Sequence, residues 1–166
     1  RDFCLSRGLG DVYKRQPPNY VITMDADYSH DPKDIPGLVN MARENYDLVI
    51  GSRYCRGGII VGWSYVRRLI SQIANFVASA MVGMHIRDCT SGLRCYSLRY
   101  IQNVIRFLHS QTYEIQIETL KQAWAQGFKI RELPVTFTNR KKGKSKLTLD
   151  EIRAFLVYIL KAACKI

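Results

Sequence analysis

The chain has 166 residues, 47% of them hydrophobic, enough for one domain with a packed core, so disorder as its main state is excluded. With 25 Lys and Arg against 14 Asp and Glu the formal net charge is +11, which calls for an anionic partner: nucleic acid, a phosphorylated substrate or the acidic surface of a membrane. Cysteines at 4, 55, 89, 95 and 164 form no Cys-x-x-Cys pair and leave one over in any disulfide scheme, which argues for a reducing compartment and against a structural zinc site; no apolar run reaches the roughly 18 residues that span a bilayer.

Residues 1–16 show no clean period and stop at Pro17-Pro18. The stretch from Ser6 to Gln16 reads like a translated sequencing-adapter remnant, so 1–16 is expected to be non-native or disordered and the domain to occupy 17–166. Tyr20 to Met24 reads as a buried strand that ends on Asp25-Ala26-Asp27. A loop through Pro32 leads to a helix opening near Asp34, with Pro36 in its first turn and Leu38, Val39 and Met41 facing inward. A second strand, Asp47 to Ile50, completes a strand–helix–strand unit, so the fold class is α/β with a mainly parallel sheet flanked by helices.

Glycines 57, 58 and 62 predict a flexible loop, and from Trp63 to Met84 apolar residues at Val66, Leu69, Ile70, Ile73, Phe76, Val77, Ala80 and Met81 keep helical spacing. Asp88 to Arg94 breaks that helix and leads into a strand over Leu93 to Tyr96. Helices over 98–108 and 113–126 follow, the second ending at Gly127, then one alternating strand from Lys129 to Thr138, a basic loop from Arg140 to Lys146 and an amphipathic helix over 149–166.

Two carboxylates one residue apart at the carboxyl end of a strand lie where α/β sheets bind ligands. They repel each other unless a hard divalent cation, which accepts oxygen ligands at about 2.0 to 2.6 Å, lies against them. Gly51-Ser52-Arg53 ends the second strand on the same edge, so Arg53 is expected to face that anchor. With Arg67 and Arg68, Asp88-x-Thr90-Ser91-Gly92, Gln116-x-Glu118 and the basic loop, the set describes a cation held by carboxylates among donors for phosphate oxygens. Each member also has a plainer reading: Asp25 and Asp27 in a solvated turn, Asp88 as the cap of its own turn, Gln116 and Glu118 on a solvated helix face, Trp63 in the core or against a lipid tail.

The ordered segments Asp25 to Pro32, Gly51 to Tyr54 with Gly57-Gly58, Trp63 with Arg67, Asp88 to Arg94, Tyr113 to Glu118, Glu132 to Val135, and Arg140 with Gly143, Ser145 and Lys146 resemble the dolichol-phosphate mannosyltransferases, family 2 glycosyltransferases of the GT-A (Rossmann-like) fold, over about residues 19 to 160. The resemblance implies that the first βαβ unit of that fold is lacking here. It implies transfer of mannose from GDP-mannose to dolichyl or another polyprenyl phosphate with inversion, and Mg²⁺ or Mn²⁺ as cofactor. Asp25 and Asp27 would hold the metal and the donor diphosphate, with Arg140 and Lys146 closing on the donor; Arg53, Arg67 and Ser71 would grip the acceptor phosphate; Asp88 would position the sugar; Gln116 and Glu118 would form the site wall. Ser29 stands where some relatives place a glutamine ligand.

The same resemblance implies a peripheral enzyme on the cytoplasmic face of a membrane, endoplasmic reticulum or plasma membrane, with an anchoring subunit or a transmembrane segment beyond Ile166 as a further partner. Close alternatives are a polyprenyl-phosphate glucosyltransferase or another family 2 glycosyltransferase. A non-enzymatic basic module binding nucleic acid through Arg140 to Lys146 is the other class, disfavoured because no aromatics interleave with the basic run and Asp25 and Asp27 would be unexplained.

Overall fold

A computed structural model describes residues 19–109 and 115–139. The expectations for residues 1–16, for Tyr113, for Arg140 and Lys146 and for the helix over 149–166 lie outside these described residues.

Strand β1 is Tyr20–Thr23; a 3-10 turn at Pro32–Asp34, capped by the Asp31 carboxylate on the Lys33 amide, leads into helix α1, Ile35–Arg43. Strand β2, Leu48–Ser52, is buried at all five positions, as expected of a central strand covered on both faces. Strand β3 is Ile59–Val61 and helix α2 is Tyr65–Val82, opened by the Ser64 hydroxyl on the Arg67 amide. Strand β4, Arg94–Ser97, runs into helix α3, Leu98–Val104. Helix α4, Ile115–Ala125, precedes strands β5, Ile130–Pro134, and β6, Thr136–Thr138.

The main sheet has the order β1-β4-β2-β5. Strand β4 is antiparallel to both β1 and β2, while β2 and β5 are parallel, so three of the four strands run the same way and the reversed β4 lies between β1 and β2. The shared direction of β1 and β2 survives this insertion, and their carboxyl ends deliver Asp25 and Arg53 to one edge. Side chains alternate across the sheet: Leu48 and Ile50 join the core under α2, α3 and α4 with Ala78, Tyr100 and Leu120, whereas Val49, Leu93 and Cys95 pack with Leu38 and Ala42 of α1.

Three expectations change. The stretch read as one strand from Lys129 to Thr138 breaks at Val135, and β6 leaves the main sheet to pair in parallel with β3 in a second, two-stranded sheet. The glycine-rich segment read as a flexible loop supplies that β3. Helix α2 buries Asn75, Ala78 and Val82, while Val66, Leu69, Ile70, Ile73 and Phe76, the face read as apolar and periodic, are exposed.

Candidate active site

The site lies at the carboxyl ends of β1 and β2. Thr23, the last residue of β1, donates its hydroxyl to the Gly92 carbonyl at 2.9 Å, tying the strand to the 88–92 loop. A Cβ on Gly92 would stand 2.9 Å from Asp25 Oδ1, so the loop backbone lies directly against the Asp25 carboxylate and only glycine fits without displacing it. Asp27 Oδ1 accepts the Ser29 amide at 3.1 Å and the Ser29 hydroxyl, closing an Asx turn around Tyr28, which holds φ at +62°. Left-handed backbone is uncommon for an aromatic residue and concentrates at functional sites.

His30 is buried with its Nε2 4.0 Å from Asp25 Oδ2 and its ring edge-on to Phe137. Burial lowers its pKa, Asp25 raises it, Arg53 lowers it, and Asp27 and Asp88 add smaller upward pulls; the net shift is downward. Asp25, Asp27, Arg53 and Asp88, four of the residues picked out in the sequence, thus all act on this imidazole.

Asp88 and Arg53 are bonded to each other. Arg53 donates from Nε to Asp88 Oδ2 at 2.7 Å, from Nη2 to Oδ1 at 2.6 Å and from its backbone amide to Oδ2 at 2.8 Å, and Nη2 also reaches Thr90 Oγ1 at 2.8 Å. Asp88 is fully buried. Glu132 of β5 accepts the backbone amides of Arg87 and Asp88 at 3.1 and 2.9 Å, and Asn75 of α2 accepts the Thr90 amide at 3.1 Å, so strand and helix together fix the loop. Gly58 lets the chain fold back on this corner: a Cβ there would lie 2.7 Å from the Arg53 carbonyl carbon.

The Arg53 guanidinium is also ringed by Tyr54, Trp63 and Phe137, with 5.5, 5.5 and 5.2 Å to the ring centres. Arg67 stacks on Trp63 at 4.1 Å and donates to Asn139 Oδ1 at 3.1 Å. Ser71, one turn further along α2, neighbours Tyr54, whose phenol pKa is raised by burial against a downward pull from Ser71. The sequence-predicted Asp25, Asp27, Arg53, Arg67, Ser71 and Asp88 are thus one constellation.

Gln116 and Glu118 belong to α4 and make other contacts. Glu118 accepts the His109 amide at 3.1 Å and lies 3.6 Å from His109 Nδ1, while the Gln116 carbonyl accepts from Arg94 at 2.8 Å. Arg94 closes the Asp88 to Arg94 motif, but the sequence reading assigns it no role. Fully buried, it donates from Nε to Ser91 O at 2.8 Å, from Nη2 to Cys89 O at 2.6 Å, and from Nη1 to Gln116 O and to Thr119 Oγ1 at 2.7 Å, clamping the 88–92 loop to the start of α4. Besides its place in that motif, its sequence signal is a charge within a short strand. Asn75 and Glu132 were also missed as supports; Asn75 reads in the sequence merely as an interruption of an apolar helix.

Paired carboxylates at a sheet edge, backed by a glycine and flanked by caged arginines, make a charged site on an α/β scaffold. The chain belongs to glycosyl transferase family 2, whose family model matches residues 3–105. It is 34% identical over 154 residues to the polyprenol monophosphomannose synthase of Mycolicibacterium smegmatis, covering 88% of this chain and 58% of that protein, and 34% identical over 129 residues to the undecaprenyl-phosphate mannosyltransferase of Micrococcus luteus, covering 77% and 53%. The chain therefore spans little more than half the length of these curated relatives. Among solved structures, glucosyl-3-phosphoglycerate synthase from Mycobacterium tuberculosis matches with a TM-score of 0.59 at 18% identity, over 93% of this chain and 52% of that one. The same enzyme in complex with Mn²⁺, UDP and glucosyl-3-phosphoglycerate gives 0.59 at 15%, over 93% and 51%. At such identities the likeness shows the fold, which is the expected GT-A fold.

Proposed function

We propose that the protein transfers mannose from GDP-mannose to a polyprenyl phosphate, dolichyl phosphate in a eukaryotic setting, with inversion at the anomeric carbon. The observation that carries this reading is the pairing of Asp88 with Arg53. A glycosyltransferase acting on a hydroxyl needs a base to deprotonate it, and the acid best placed by sequence for that task is buried with both oxygens bonded to a guanidinium. A phosphate monoester needs no base: with a second pKa near 6 it is already largely dianionic at neutral pH. What it needs is positive charge and in-line placement against a second anion.

Asp25 and Asp27 would hold Mg²⁺ or Mn²⁺. The side chain of Asp25 is 53% exposed, so a hard divalent cation could reach its carboxylate oxygens from solvent, with Asp27 as the second oxygen donor. Such an ion would neutralise negative charge on a nucleotide diphosphate leaving group. Arg67, fixed on Trp63, and Ser71 would grip the acceptor phosphate, with Arg53 behind them. Asp88 acts in this reading by holding Arg53, and through it the sugar-facing loop. Arg140 and Lys146 are assigned to the donor side on the relatives' pattern.

The site opens beside α2, whose exposed Val66, Leu69, Ile73 and Phe76 adjoin Arg67 and Arg68. An apolar face edged by arginine on a chain of charge +11 suits peripheral attachment to the cytoplasmic face of an anionic membrane, where the acceptor resides. No helix among the described residues is long and apolar enough to cross a membrane.

The test is transfer of labelled mannose from GDP-mannose to a polyprenyl phosphate by the full-length protein with Mn²⁺, with UDP-glucose as the competing donor. Transfer should fall by about a hundred-fold or more in Asp27→Asn, because metal stabilisation of the leaving charge is worth several kcal/mol. Preference for UDP-glucose, or full activity of Asp27→Asn, would overturn the reading.

A further inference from the structure

Trp63 has both guanidinium groups assigned to the acceptor phosphate against its ring. Arg67 lies 4.1 Å from its ring centre and Arg53 5.5 Å, and Phe137 meets the indole edge-on at 5.3 Å, with His30 in turn edge-on to Phe137 at 5.0 Å. Two like charges need a reason to share one neighbourhood. Asp88 supplies it for Arg53; for Arg67 the stacking face is the indole, whose negative quadrupole favours a cation above it. Among the described residues the indole Nε1 is buried without a hydrogen-bond partner, an unspent donor beside the cations.

Asn139 completes the frame. Its side-chain carbonyl accepts from Arg67 Nη1 at 3.1 Å while its amide donates to the Gly62 carbonyl at 3.1 Å, beside Trp63 in the chain. Arg67 is thereby oriented twice by the same corner of the fold, once through its charge and once through its hydrogen bonding.

We infer that Trp63 is a positioning residue for a phosphate monoester: it stacks Arg67 beside the Asp88-anchored Arg53, and its Nε1–H is the donor that an incoming phosphate oxygen satisfies. The inference rests on the reading of Arg53 and Arg67 as the acceptor-phosphate grip. It assigns the indole to the headgroup rather than to the lipid tail.

The chain has two tryptophans, so Trp124→Phe leaves Trp63 as the sole indole reporter in the full-length protein. Geranylgeranyl phosphate should change Trp63 emission saturably, geranylgeraniol at the same concentration should leave it unchanged, and inorganic phosphate should compete. Trp63→Leu should weaken geranylgeranyl phosphate binding about ten-fold, the scale of a desolvated cation–π contact, with Trp63→Phe recovering part of the loss and GDP-mannose binding unchanged in both. Wild-type protein that binds no geranylgeranyl phosphate would defeat the parent reading and this inference together. Binding that survives in Trp63→Leu, equal responses to phosphate and alcohol, or parallel losses of donor and acceptor affinity would defeat the inference alone.

Discussion

Arg53 and Asp88, 35 residues apart in the chain, form a three-bond contact in which side-chain Nε and Nη2 and the Arg53 amide all donate to one buried carboxylate. Burial by itself would lower the Arg53 pKa; the hydrogen bonds and charge of Asp88 outweigh it and the net shift is upward, so the guanidinium stays charged. Asp88→Asn should cost about 3 to 5 kcal/mol of stability, because it leaves a buried cation without its counter-charge. The double variant Arg53→Met with Asp88→Leu should recover much of that loss in denaturant unfolding and none of the transferase activity. Recovery of both would show that the pair serves packing only.

A Cβ on Gly92 would press on the Asp25 carboxylate, 2.9 Å from Oδ1 and 3.0 Å from Oδ2. Gly92→Ala should therefore act on the Asp25 carboxylate and not on the core: kcat/KM should fall by about ten- to a hundred-fold, the usual consequence of misplacing a group by a fraction of an ångström to one ångström, while the thermal midpoint moves little. Steady-state kinetics and a thermal melt on the same sample separate the two effects.

Much of this site could be read from local order. Asp25 and Asp27 follow an apolar run and Arg53 ends another, so one parallel-strand argument brings them to the same edge, and β2 is buried at every position as its composition demands. Contacts between distant segments were not legible. Nothing in Arg94 to Ser97 announces a strand that runs backwards between β1 and β2, since pairing partners lie 70 or more residues apart in one case, and nothing in Val135 marks the point where the chain changes sheets. Helical spacing on α2 located an apolar face correctly but could not say which way it points; Asn75, polar and inward, is the residue that the 88–92 loop requires. The clamp made by Arg94 was not legible because its partners are mostly backbone carbonyls, which carry no side-chain signature.

Cys89 and Cys95 are buried thiols, and desolvation pushes their pKa up from 9.0 to about 12 and about 11. The unfolded chain releases these protons above pH 9.0 while the folded chain retains them, so folding stability should fall as pH rises from about 9 towards 11 and beyond. Chemical denaturation at pH 8 and pH 10.5 should show the loss, and Cys95→Ala should reduce its slope. The same thiols should resist iodoacetamide at pH 8 in the native state, Cys55 labelling first because it alone of the three described cysteines is partly exposed.

Exposure of Phe76 and Ile73 on α2, at 76% and 54%, is a large apolar cost in water that a membrane surface would relieve. Flotation with phosphatidylglycerol liposomes at low salt should carry the protein upward, and Ile73→Ser with Phe76→Ser should reduce the bound fraction without altering mannose transfer to a water-soluble short-chain acceptor. Equal flotation of wild type and double variant would assign attachment to another part of the protein.

The most direct measurement of the central claim is Mn²⁺ binding by titration calorimetry, with and without GDP, on wild-type protein and Asp27→Asn. Twin carboxylates that hold a cation against a diphosphate require Mn²⁺ to bind more tightly when GDP is present and require Asp27→Asn to abolish that gain. Mn²⁺ affinity indifferent to GDP, or a gain that persists in Asp27→Asn, would contradict the account.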